Sequence, residues 1–273
     1  MTFAEVYYTP GPQKPVDVSH DFFFNLLKQA IHQGSPEKEL SAAKISTKPY
    51  SGQGRVLQLL EVDKYYDIVW TANTAERNES LLPIPFPLFR GGLGLRGLVI
   101  REEDKAVFRD IYDHNDLKGL IICQGRHWPD SVILKQAGLT VAEISHFDAM
   151  LAMLTMGRCD AIALSVFEGA AELKAMASEF PNLVFFTEIA IYYDLVMNFY
   201  VNKENTALAE RVHRGLMIME ETGEYDQLLN THRLTKDVIS TWNADRHRII
   251  RLPNPKRPDI SAQLEKVYSL VNR

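Results

Sequence analysis

Two cysteines, Cys123 and Cys159, are all the chain contains. A framework of several disulfides is thereby excluded, and the pair lacks the short spacing of a metal knuckle. Each borders an apolar run, so the expectation is two buried free thiols. A surplus of positive charge is also missing: 30 Lys and Arg stand against 35 Asp and Glu, a formal net charge of −5. Affinity for nucleic acid comes largely from neutralising phosphates, so no nucleic-acid partner is expected. An apolar run of about 18 residues, the length that spans a bilayer, does not occur. Internal repeats and low-complexity tracts are absent as well.

The common catalytic signatures are missing too. There is no H-E-x-x-H, no G-x-S-x-G and no P-loop, and the 8 histidines are scattered. Neither a metal nor a cofactor is expected. Gly92-Leu-Gly94-Leu-Arg-Gly97 matches G-x-G-x-x-G in its letters. A dinucleotide fingerprint must follow a strand and open a helix, whereas Pro83, Pro85 and Pro87 precede this one and a strand follows. The glycines read instead as flexible backbone entering a crossing between domains.

What is present is an ordinary globule of 273 residues, 46% hydrophobic and 24% charged, long enough for one large domain or two modest ones. Strand patterns at 3–9, 40–45 and 65–70 alternate with a helix over 21–32, with Ser19 as its N-cap and Gly34 as its stop, and with a short helix over 56–62. After a Pro- and Gly-rich stretch and the strand Leu98-Val99-Ile100, the βαβ order restarts. Strands at 120–123, 141–144, 161–164 and 183–186 alternate with helices at 129–136, 147–156 and 168–180. Extended segments near 98–104 and 195–201, helices at 206–220 and 225–229, and an amphipathic stretch at 260–271 complete the chain. This order implies mostly parallel sheets, and two units with a cleft between them. Ligands of such sheets sit at the carboxyl ends of strands, which directs attention to the residues after Val69, Cys123 and Leu164.

Two turns stand out. Thr71-Ala72-Asn73-Thr74-Ala75-Glu76-Arg77 follows a strand, and Thr74 can cap a helix. Arg77 adds a planar fork of donors that suits a carboxylate, or is a surface arginine on a capped turn. Gln124-Gly125-Arg126-His127-Trp128-Pro129-Asp130 follows another strand; Gly125 permits a tight turn, and Pro129 suits the first helical position. Its N–H groups form an anion nest, and Trp128 is either a flat wall for a ligand or core filling.

The sequence of parts resembles the type 2 periplasmic solute-binding proteins of family 3, the polar-amino-acid kind. The resemblance rests on Tyr66-Asp67-Ile-Val-Trp70, Thr74-Ala-Glu-Arg77, Asp116-Leu-Lys-Gly119, Gln124-Gly125, Met156-Gly157-Arg158-Cys-Asp160-Ala161 and Glu221-Thr-Gly223-Glu-Tyr225-Asp226. Together these cover about residues 1–232 of the chain. More narrowly, Leu82-Pro83-Ile84-Pro85, Gly94-Leu-Arg96, Gly125 to Asp130 and Arg251-Leu-Pro-Asn254-Pro255 are similar to an uncharacterised branch.

This resemblance implies an α/β fold of two Rossmann-like lobes on a two-strand hinge, the type II periplasmic binding fold. The lobes are expected at 1–99 plus 200–234 and at 100–199, with 235–273 an extension packed on the first. The start of the chain reads as that of a cytosolic protein or of one whose signal peptide has been replaced by Met1; the resemblance implies the second, a monomeric, non-enzymatic, periplasmic protein which delivers a small molecule to a membrane permease. Arg77 falls where the family grips a carboxylate, with Trp70, Thr71, Asn73 and Thr74 around it. His127 falls at a hydrogen-bonding threonine, beside Gly125, Arg126 and Trp128. Ser165 stands where amino-acid binders place an aspartate, and Glu168 is the nearby substitute for that charge. Arg96 either points into the cleft or forms a structural salt bridge. A sensory module with a membrane signalling partner is the alternative, and a dehydratase-like enzyme using His127 or Glu168 a more distant one.

Overall fold

The computed structural model describes residues 6–13, 16–35, 44–63, 65–241 and 247–255. The elements in chain order are β1 (Val6–Pro10), α1 (Val18–Gly34), β2 (Lys44–Lys48), α2 (Gln53–Gln58), β3 (Ile68–Ala72), α3 (Ala75–Ser80), β4 (Leu81–Pro83), β5 (Leu95–Arg101), α4 (Lys105–Arg109), α5 (His114–Leu117), β6 (Ile121–Gly125), α6 (Pro129–Gln136), β7 (Thr140–Ile144), α7 (Phe147–Thr155), β8 (Ala161–Ser165), α8 (Gly169–Ala175), β9 (Leu183–Tyr192), β10 (Met197–Asn202), α9 (Thr206–Thr222), α10 (Glu224–Thr231), α11 (Lys236–Thr241) and β11 (Arg248–Arg251). They form two compact units, Met1–Leu88 with Met197–Ser240, and Phe89–Val196 with Thr241–Arg273.

In the first unit β1 pairs in parallel with β2, and β10 lies antiparallel between β3 and β4. Helix α1 begins at Asp17, whose carboxylate accepts from the His20 N–H, and not at Ser19. Its apolar stripe (Phe22, Phe23, Leu26, Leu27, Ala30 and Ile31) is buried, as is the stripe Leu208, Val212, Leu216 and Met219 of α9. These two helices meet backbone to backbone. A Cβ at Gly215 would stand 1.8 Å from the Ala30 carbonyl oxygen, and one at Gly34 would stand 1.9 Å from that of Arg211. Only glycine permits that approach.

The second unit is built on one six-stranded sheet, ordered β11-β9-β5-β8-β6-β7. It is mixed rather than mostly parallel: β6 runs parallel to β7 and β8, and β5 runs antiparallel to β8 and β9. Because β5 is hydrogen-bonded on both edges, it lies whole inside this unit. The chain passes between units at Leu88/Phe89, Val196/Met197 and again at Ser240/Thr241, whereas the sequence suggested a first boundary near Val99/Ile100. In the extension, β11 pairs with β9 (Arg248 opposite Ile189, Arg251 opposite Tyr192), and the Asn254 amide donates to the Asp194 carbonyl at 2.8 Å. That part of 235–273 belongs to the second unit and not to the first. The 260–271 stretch lies outside the described residues.

Cys123 and Cys159 are joined by a disulfide, correcting the expectation of free thiols. The register explains it: β6 and β8 are parallel neighbours with Cys123 opposite Ile162, so Cys159, just before β8, is carried to β6. Both cysteines are buried in a cluster with Met150, Leu151, Leu154 and Ile162, and Trp128 packs against that cluster.

The three glycines of the G-x-G-x-x-G match are placed by packing. A Cβ at Gly92 would meet the Phe167 ring at 2.5 Å, one at Gly94 the Tyr193 carbonyl oxygen at 1.8 Å, and one at Gly97 the Phe185 ring at 2.5 Å. They allow close approach and neither cradle a dinucleotide nor mark a flexible entry.

Candidate functional site

In the first unit the site residues gather where β3 ends and α3 begins. Strand β3 (Ile68-Val-Trp-Thr-Ala72) is buried apart from the half-buried Trp70. The Trp70 ring stacks on Phe23 at 5.3 Å between centroids, lies 5.5 Å from the His20 ring and meets Phe199 edge-on. Thr74 has extended backbone, and its hydroxyl accepts from the Arg77 N–H at 3.2 Å, which starts α3 as the sequence predicted.

The Arg77 guanidinium is held in a definite orientation. Nη1 donates to Thr71 Oγ1 at 2.8 Å and to the Ala72 carbonyl at 2.7 Å, and Nη2 donates to Gln53 Oε1 at 3.1 Å. These acceptors are neutral oxygens, so they aim the fork without themselves forming ion pairs. Burial raises the Tyr200 hydroxyl pKa above its ordinary value, while the Arg77 charge works in the opposite direction.

Asn73 has a different place. It is buried, its Nδ2 donates to Asn198 Oδ1 at 2.9 Å, and its Oδ1 accepts from Asn78 Nδ2 at 3.0 Å. Asn198 in turn donates to the carbonyls of Ile84 and Phe86, and the Tyr200 hydroxyl donates to Asn78 Oδ1 at 2.8 Å. A closed relay of amides thus fastens the β3–α3 turn to β10, in keeping with the need of buried amides for partners. The Asn73 side chain is directed into this relay.

In the second unit the turn after β6 runs Gly125-Arg126-His127-Trp128, closed by the Trp128 N–H donating to the Gly125 carbonyl at 3.0 Å. His127, its third residue, has φ +70°, a left-handed conformation that favours glycine or asparagine. Gly125 is required for another reason: the Trp128 indole lies over it, and a Cβ there would stand 2.3 Å from ring carbon Cε2. Arg126 and His127 are exposed. Pro129 opens α6 at its first position as expected.

Arg96 is 5% exposed and forms an ion pair with Asp130 of the first turn of α6, Nη2 to Oδ1 at 2.5 Å. Its Nε donates to the Tyr193 hydroxyl at 3.1 Å, and that hydroxyl donates to Asp130 Oδ1. Burial alone would lower the Arg96 pKa, but the Asp130 charge, with Tyr193 and Glu168, raises it, so the guanidinium stays charged. Tyr193 is raised well above its ordinary value, chiefly by burial. Ser165 stands opposite Arg96 in the β5–β8 register and accepts from the Phe167 N–H at 3.3 Å. Glu168 precedes α8 and is half-buried.

The structure therefore brings Thr71 and Thr74 to Arg77 in the first unit, while Trp70 packs against Phe23 and His20; in the second, Arg96 stands opposite Ser165 with the Glu168 charge acting on it, and Trp128 covers Gly125. Sequence reasoning missed the parts of Gln53, Asp130, Tyr193 and Asn198. Asp130, next to Pro129, reads as an acid at a helix start, and only the fold brings Arg96 to it. Among the described residues no cluster of three His, Cys, Asp or Glu side chains is arranged to hold a metal, and no helix is long and apolar enough to cross a membrane.

Comparison with solved structures defines the class of fold. An ancestral arginine-binding protein bound to arginine superposes with a TM-score of 0.61 at 20% identity, covering 85% of this chain and 100% of that one. An amino acid ABC transporter substrate-binding protein from Streptococcus pneumoniae bound to L-arginine gives 0.60 at 16% identity, covering 87% and 94%. A histidine kinase sensor domain with similarity to periplasmic binding proteins gives 0.61 at 14% identity, covering 85% and 96%. The fold is that of the two-lobed type II periplasmic binding proteins. No protein-family model matches the chain, and no curated protein matches it in sequence.

Proposed function

We propose that the protein is a non-enzymatic, extracytoplasmic solute-binding protein for a small carboxylate-bearing, amino-acid-like ligand, serving an ABC-type importer. The observation that carries this reading is the Arg77 fork, oriented by Thr71, the Ala72 carbonyl and Gln53 at the carboxyl end of β3. A planar guanidinium is the side chain best suited to a carboxylate, and this one is fixed in orientation at the end of a strand. The half-buried Trp70 of the first unit and Trp128 of the second support a flat body, aromatic or heterocyclic, on the ligand. Arg126, His127, Ser165 and Glu168 are the candidate polar contacts of the second unit. Arg96, ion-paired with Asp130, serves as support for the α6 turn. The buried Cys123–Cys159 disulfide supports an oxidising compartment such as the periplasm.

The test is a thermal-shift screen of amino acids and of aromatic and heterocyclic carboxylates, repeated on Arg77→Ala. A ligand at about 100 times its Kd adds about 2.7 kcal/mol to the stability of the native state. We expect that shift in the wild type and its loss in the variant; an equal shift in both would overturn the role of Arg77. The alternative, a ligand-sensing module with a membrane signalling partner, is supported by the likeness to a histidine kinase sensor domain. Copurification with a permease, or with a signalling protein instead, distinguishes the two.

A further inference from the structure

At the β11 edge of the second unit's sheet a cavity of about 600 Å³ opens between the α4–α5 connection, the middle of β9 and the start of β11. Arg109, Asp110 and Tyr112 line it from the connection, Glu188 from β9, and His247 and Arg248 from the chain entering and opening β11. These residues lie outside the turns described above. His247 Nδ1 donates to the Thr187 carbonyl at 2.6 Å, which fastens the start of β11 beside Glu188. Both Glu188 oxygens accept from Arg109, Oε2 from Nε at 2.9 Å and Oε1 from Nη2 at 2.8 Å, and that bonding holds the Glu188 carboxyl below its ordinary pKa. Glu188 is thus occupied, and the pair shows the two-pronged grip of a guanidinium on a carboxylate.

Arg248 is held differently. Its Nη1 donates to the Arg109 carbonyl at 3.0 Å and to the Ile111 carbonyl, and its guanidinium carbon stands 3.9 Å from the centre of the Tyr112 ring. Two carbonyls and a ring fix the plane of the group, so little further order is lost when it binds something. Among the described residues no carboxylate pairs with Arg248. Its Nε and Nη2, the same parallel donors by which Arg109 grips Glu188, have no protein acceptor there. Within the cavity the Arg109 charge is matched by Glu188, and the charge opposing Arg248 is the exposed Asp110.

We propose that this cavity is a binding site for a small oxyanion, a carboxylate or phosphate group gripped by Nε and Nη2 of Arg248 and separate from the Arg77 site. Strand β11 then does more than cover the edge of β9: it carries in the side chain that holds the anion.

The test is a titration of the full chain carrying Arg77→Ala, so that the first unit's fork takes no part, followed by the arginine Nε–H resonances in proton–nitrogen spectra. Inorganic phosphate and succinate are the probes, each compared with chloride at equal ionic strength. We expect a saturable shift of the Arg248 resonance with phosphate, with succinate or with both, according to which oxyanion the cavity selects. Adding Arg248→Gln should weaken binding about tenfold or more, as the loss of a charge-assisted pair of hydrogen bonds. Adding Asp110→Asn, a change at an exposed position, should tighten it about twofold or more by removing a repelling charge. Three results would each overturn the proposal: a shift that rises without saturating, saturation that leaves the Arg248 resonance unmoved, or one affinity shared by the parent and both variants. Should Arg248→Gln undock β11, the sign of the Asp110→Asn effect still decides the matter. The outcome does not depend on the function proposed above, since binding at Arg77 can fail while this site stands, and the reverse.

Discussion

Replacing Cys123 and Cys159 together by alanine should destabilise the second unit by about 4 kcal/mol. The bridge joins residues 36 apart in sequence, so it closes a loop of that length in the unfolded chain. In the chain-entropy description, releasing such a loop returns ~13 cal/mol/K to the denatured ensemble, or about 4 kcal/mol at 25 °C. For a domain of this size that corresponds to a fall in melting temperature of about 8–15 °C. Calorimetry of the variant against the wild type measures it, with the two units allowed separate transitions. Single replacements should cost nearly as much as the double one, because either opens the loop. Both cysteines are buried, so a reductant acts only when the unit opens, and the native protein should resist it at low temperature. Two results would refute this reasoning. One is two titratable thiols in protein unfolded without reductant; the other is a double variant melting within about 2 °C of the wild type.

Three further outcomes follow from particular residues. His127 sits at φ +70°, so His127→Gly should leave stability unchanged or raise it by up to about 1 kcal/mol, whereas His127→Val should lower it by about 1–2 kcal/mol, read from urea midpoints. Gly215→Ala forces a Cβ against the Ala30 carbonyl and should cost about 1–3 kcal/mol or more, seen as a lower melting point with α1 and α9 affected together. His232 has its pKa lowered from 6.5, first by burial and also by Arg233, against the raising effect of Asp21. Its Nδ1 accepts from the Leu234 N–H at 3.1 Å, so protonation there would break that bond. A lowered histidine pKa means the unfolded chain takes up the proton first. Stability from this residue is therefore complete above the unfolded value and is lost as pH falls through 6.5 toward the folded value. Chemical denaturation across that range should show the slope, and His232→Gln should flatten it; an unchanged slope would remove the assignment.

Local features of the fold were legible wherever the physics is local. Thr74 caps α3, Pro129 opens α6, and the stripe of α9 faces inward, because capping, fixed φ and helical period act within a few residues. Longer-range features were not. Pairing of Cys123 with Cys159 depends on β6 and β8 being neighbours, which follows from sheet order and not from spacing along the chain. Glycines 92, 94 and 97 have the letters of a dinucleotide fingerprint and the look of a flexible entry, yet what selects them is Phe167, Tyr193 and Phe185 standing too close for a Cβ. The strand β11 was hidden for a similar reason: Arg248-Ile-Ile-Arg251 is short, and it is stabilised by an edge of β9 that sequence pattern does not reveal.

The two arginines of the candidate site show where sequence reading reaches its end. Arg77 follows a threonine- and asparagine-containing turn and Arg96 a glycine-rich segment that leads into β5, and each carries the same planar fork. Their difference lies in what the fold brings to them. Arg96 is drawn into the interior of the second unit, where isolated charge is costly, and is retained there by a carboxylate 2.5 Å away with a buried phenol bonded to both. Removing Asp130 alone would leave a buried cation, a loss of about 3–5 kcal/mol. Arg77 is only partly buried and is oriented by a threonine hydroxyl, a backbone carbonyl and a glutamine amide. In the function proposed above the ligand contact falls to Arg77, whereas the Arg96 charge serves the turn beside it.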